Sequence, residues 1–160
     1  MAALRCDLAR KLGAVVALVV LCCATASAQT IYEDVAAISA KYGSERGVMS
    51  MACDGGLKLR AVRMMLRKEF GEEFANNIEA FVIIAPKSAS AECLDKIRAD
   101  ITAITAEMRQ IDVSKQMKEG SEATGFVHLS AHGSQITDLL IVITAPHPSM
   151  IYLGGHFRKP

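Results

Sequence analysis

The chain has 160 residues, 51% of them hydrophobic and 22% charged, with a formal charge of +1 and a mean hydropathy of +0.26. That is enough apolar material for one packed core and too little charge for intrinsic disorder. The near-neutral balance also lacks the basic excess that a nucleic-acid binder carries.

Met1–Ala28 reads as a secretory signal peptide: Arg5, Arg10 and Lys11, an apolar run from Leu12 to Ala24, then Ala26-Ser27-Ala28 before Gln29. The apolar run is short of the roughly 20 residues that span a bilayer, so no stable membrane span is expected once it is cleaved. Retention as an anchor is the alternative. Three of the 18 basic residues and one of the 17 acidic residues leave with it, so 15 stand against 16. Cys6, Cys22 and Cys23 leave too, and Cys53 and Cys93 remain as a pair in an oxidising compartment.

Residues 29–157 are expected to form a single α+β domain, followed by a short tail at 158–160. Ile31, Val35, Ile38 and Tyr42 recur at helical spacing up to Gly43. Val48–Ala52 reads as a strand, and Asp54-Gly55-Gly56 turns the chain into a helix over about Leu57–Phe70. Leu59, Val62, Leu66 and Phe70 share the core face of that helix, with Arg60, Arg63 and Arg67 on another. Glu79–Ala85 is a strand whose Phe81–Ile84 run is apolar on both sides. Ser88 or Ser90 caps the next helix, where Leu94, Ile97, Ile101, Ile104 and Met108 mark the buried stripe. Short strands follow: Val113–Met117, Gly125–His132, a Gly133-Ser134 hairpin, Ile136–Ala145, and Met150–Leu153. The expected fold is a two-layer α+β sandwich, order α-β-α-β-α-β-β-β, with helices on one face of a mostly antiparallel sheet containing a single βαβ unit.

This order, with Lys41-Tyr42-Gly43, Val48-Met49-Ser50-Met51 and the closing Met150-Ile151-Tyr152-Leu153-Gly154-Gly155-His156-Phe157, resembles the DUF4252 family of bacterial envelope proteins over about residues 40–157. The resemblance implies an exported protein of the periplasm or cell envelope and carries no catalytic or binding residues with it.

Candidate chemistry is sparse. Cys53 ends the first strand and Cys93 opens the helix after the second. In a right-handed βαβ unit both would stand at one edge of the sheet, and a disulfide would contribute about 3–4 kcal/mol. Two buried free thiols are the alternative. Gly55 and Gly56, with Arg60, Arg63 and Arg67, outline an anion-binding corner at a strand-to-helix turn; a turn needing positive φ and a solvated basic face are the alternatives. No metal site is expected, because His128 and His132 stand about 13 Å apart on a strand. The Gly43–Gly47 loop puts its serine in the second place of a nucleophile elbow instead of the third, and Glu72-Glu73 suits solvation. The chain is therefore expected to be a non-catalytic envelope protein without a cofactor, acting on another protein or on its own copy through an apolar sheet face. Binding a small anionic ligand through the basic helix face is the alternative.

Overall fold

A computed structural model describes residues 31–113, 122–130, 133–145 and 148–158. The expected signal peptide, the expected strand after Val113, His132 and His147 lie outside the described residues. Helix α1 is Ile31–Tyr42, strand β1 Val48–Cys53, helix α2 Gly56–Phe70, helix α3 Glu72–Asn76 and strand β2 Ile78–Pro86. Helix α4 is Ala91–Thr105, and strands β3 Arg109–Ile111, β4 Glu122–Leu129, β5 Gln135–Ala145 and β6 Ser149–Arg158 complete the chain.

The local signals explain these elements. Glu33 and Asp34 in the first turn of α1 and Lys41 in its last complement the helix dipole. Ser90 caps α4 by accepting the Cys93 N–H at 3.2 Å. Gly71, at φ +88°, ends α2 and starts α3, a backbone state that β-carbon sterics make costly for other residues.

The six strands form one sheet in the order β1-β2-β6-β5-β4-β3, antiparallel at every pairing. The α+β sandwich is present, and the expected βαβ unit is not. Val48 pairs with Pro86 and Cys53 with Phe81, so β1 and β2 run in opposite directions although helices join them. Strand β6 sits between β2 and β5, the two strands whose apolar runs have no polar side and which need a layer on each face. It also extends beyond the expected Met150–Leu153 and takes in Arg158 of the expected tail: Phe157 is a buried strand residue.

Two hydrophobic cores lie on opposite faces of this sheet. On the first, α1 and α4 cover Ala80, Val82, Ile84, Leu140, Val142, Met150 and Tyr152 through Val35, Tyr42, Ile97 and Ile101. On the second, α2 places Leu59 and Val62, with Leu66 and Phe74 beside them, against Cys53, Ile78, Phe81, Leu153 and Phe157. The helices thus divide between the faces, where the sequence reading expected them on one, and among the described residues α2 and α3 pack mainly on β1 and β2.

A polar bridge ties the first layer together. Asp100 of α4 accepts from Lys41 Nζ and from the Tyr42 hydroxyl, both at 2.7 Å. Partial burial would raise its carboxyl pKa; the two hydrogen bonds outweigh that and hold it below the usual carboxylate range. A folded-state pKa below the unfolded one stabilises above the ordinary carboxylate pKa, and that stability is lost as pH falls through the lowered value. Asp100→Ala is expected to cost about 1–2 kcal/mol near neutral pH, and the penalty should shrink below about pH 4. Urea midpoints of both proteins across that range check this; a pH-independent penalty contradicts it.

Candidate interaction surface

At the corner between β1 and α2, Asp54, Gly55, Gly56, Leu59, Arg60, Arg63 and Glu79 line a depression of about 300 Å³. The Gly-Gly turn needs its glycine at Gly56, which sits at φ +67°, while Gly55 is extended; no side chain caps the helix that follows. Four of the five residues expected to make an anion-binding corner therefore meet. Arg67 does not join them: its guanidinium points to Asn76 Oδ1 at 3.4 Å and to Glu72 at 3.7 Å. Arg63 donates from Nε to the Ile78 carbonyl at 2.8 Å, which fastens α2 to the start of β2. Two carboxylates, Asp54 and Glu79, balance the two arginines, so the depression has no excess of positive charge.

Cys53 and Cys93 are buried free thiols, and the disulfide weighed from the sequence is not formed. The antiparallel register is the reason. Cys53 stands beside Phe81, at the start of β2, whereas Cys93 follows the far end of that strand. They also occupy different cores, Cys53 under α2 and Cys93 under α1 and α4, with the sheet between them. Burial, with the Asp54 carboxylate nearby, pushes the Cys53 thiol above its ordinary pKa, away from nucleophilic use.

The two described histidines and the buried Tyr152 lie in the strands of the sheet. His128 is paired with Asp138 across β4 and β5, and His156 lies 3.6 Å from Glu79. No group of three histidines, cysteines or carboxylates at metal-binding separation occurs among the described residues. Tyr152 is buried and donates its hydroxyl to Asp138 Oδ1 at 2.7 Å. Burial first, and then that carboxylate, hold the phenol far above its ordinary pKa, so it stays a donor that fastens β6 to β5.

The exposed apolar side chains have a clear placement. Met49, Leu57, Met64, Met65 and Phe70 are 44–81% exposed, and all five belong to the second face. Met49 alternates in β1 with side chains of the first face and shares the side of Met51 and Cys53. The other four are on α2, which covers that face. Phe70, expected in the core stripe of α2, has come out at the helix end, where its ring lies 5.3 Å from that of Phe74.

Beyond α2 the same face continues as a half-buried apolar strip through Met51, Ile83, Ile151, Ile141 and Ile143. The cross-strand pairs Met51–Ile83, Ile83–Ile151 and Ile151–Ile141 make it continuous over four strands. Among the described residues the helices of this face pack mainly on β1 and β2, and Ile151, Ile141 and Ile143 continue the strip beyond those two strands. The exposure of Leu57, Met64 and Met65 is not among the sequence expectations, although their helical spacing opposite Leu59, Val62 and Leu66 is a readable signal. No family model, no curated protein and no solved structure matches this chain.

Proposed function

We propose that this is a non-catalytic protein exported to the periplasm or cell envelope, of the kind the DUF4252 resemblance implies, that works by docking another envelope protein on the open part of its second sheet face. The observation that carries the reading is the apolar strip from Met49 and Met51 across Ile83 and Ile151 to Ile141, left uncovered where the second helical layer stops. Exposed apolar surface of this continuity mostly marks an interaction site, because leaving it in water is unfavourable by about 25 cal/mol for each Å². Strand β1 adds an edge: among the described residues it has a strand neighbour on one side only, so a partner can align against both its backbone and Met49. Among the described residues no helix is long and apolar enough to cross a membrane, which accords with a protein acting outside the bilayer core.

A photo-crosslinking amino acid at position 49, with position 103 on the outer side of α4 as control, tests the reading in cells producing the protein. Adducts at 49 and none at 103 are expected. An adduct of twice the chain mass identifies the partner as a second copy, giving the symmetric dimer through the sheet face. No adduct at 49, together with a strict monomer on ultracentrifugation, overturns the reading.

A further inference from the structure

The outward side of α2 has a different character from the open sheet. Leu57, Ala61, Met64 and Lys68 follow one another at steps of 4, 3 and 4, with Met65 beside them, along about 16 Å of helix. Leu57 is 81% and Met64 62% exposed, so these side chains stand clear of the protein. The helix also holds Lys58, Arg60, Arg63, Arg67 and Lys68 against the single acid Glu69. It thus takes five of the 15 basic residues that follow Ala28, leaving ten basic against 15 acidic ones elsewhere. Charge is segregated: the helix is +4 and the remainder −5.

We infer that α2 is a membrane-surface helix that lays Leu57, Met64 and Met65 into the interface of an anionic bilayer, with Lys58, Arg60 and Lys68 at the lipid phosphates. A second copy of the chain is a poor occupant, because a two-fold contact through this stripe would bring Lys58 and Lys68 of one copy against the same lysines of the other. The stripe lies on the outward side of a helix packed on the sheet, so a protein partner would need an acidic groove shaped to that helix. A bilayer surface accepts such a helix without shaped complementarity, and the long basic side chains reach its headgroups while their stems stay apolar. The docking strip lies on the same side of the sheet, so a partner held there would be a protein of that membrane surface. The membrane contact does not depend on the strip having a partner.

The chain contains no tryptophan, so one introduced residue reports its own surroundings. Met64→Trp in the whole chain, and Met65→Trp as a second version, are mixed with vesicles of phosphatidylglycerol and phosphatidylcholine in equal parts. Ala103→Trp on the opposite layer is the control. A blue shift and quenching by brominated lipid are expected for the reporters at positions 64 and 65 and absent for the one at position 103. Lys58→Gln with Arg60→Gln should weaken the anionic-vesicle response about 25-fold, and high salt should suppress it. The inference is overturned by unquenched emission in both reporter variants, by equal quenching at position 103, or by an equal response in pure phosphatidylcholine. Any of these results, with crosslinking at position 49 retained, removes the membrane contact and leaves the sheet-face reading in place.

Discussion

Gly155→Ala is expected to destabilise the protein by about 3 kcal/mol, the largest single effect of a small substitution outside the buried apolar cores. Strand β6 approaches the end of α3 at this residue: the Asn77 carbonyl accepts the His156 N–H at 3.3 Å. A β-carbon on residue 155 would overlap that same carbonyl oxygen and crowd the Phe157 ring. Neither neighbour yields cheaply, since one is backbone and the other is packed against Phe74 with ring centres 5.1 Å apart. The register shifts of β2 between Ile78 and Ala80 and of β5 between Ile136 and Asp138 face this part of β6, so both central pairings are built around it. Chemical denaturation of the two proteins measures the cost. A change within about 0.5 kcal/mol would mean the strands do not meet as described.

Ile84→Ala and Ile83→Ala should differ by about 2 kcal/mol although the residues are adjacent on one strand. Ile84 is fully buried beneath α1 and α4, and its truncation leaves a cavity between two rigid layers, with a cost of about 3–4 kcal/mol. Ile83 points to the second face, is half-buried, and should cost about 1–2 kcal/mol. Urea midpoints of the two variants read the difference. Equal penalties would show that something already covers Ile83, and the docking surface proposed for this face would lose its basis.

The three long helices and most strands were legible because each is a local matter, whereas the short helix Glu72–Asn76 and strand Arg109–Ile111 were not expected. Of the expected stripe, Ile97, Ile101 and Ile104 form the packing edge of α4, with Cys93 in place of Leu94 at its start and Met108 buried beyond its end; Ser90 caps it as expected, and Gly133-Ser134 lies in the β4–β5 connection. The lack of alternation in Phe81–Ile84 and Leu139–Ile143 correctly marked strands wanting cover on both sides. The meeting of Gly55, Gly56, Arg60 and Arg63 was legible for the same reason: they share one turn and one helix face, so their proximity follows from local geometry. The presence of Glu79 among them was not, because it comes from the neighbouring strand.

Composition and periodicity by themselves determined that this chain is an α+β protein with two-sided central strands and a basic helix, since the pattern of apolar residues fixes how much surface each element must bury and in which period. They did not determine the direction of β1 against β2, the place of β6 in the middle of the sheet, or the face on which α2 lies. An antiparallel and a parallel pairing bury the same side chains on the same faces, so hydrophobic pattern cannot choose between them; strand direction depends on backbone pairing between residues far apart in the chain. That choice, made only in the tertiary structure, put Cys53 and Cys93 toward opposite ends of β2, while the division of the helices between the two faces put the sheet between them; among the described residues the helices of the second face pack mainly on β1 and β2, short of Ile151 and Ile141.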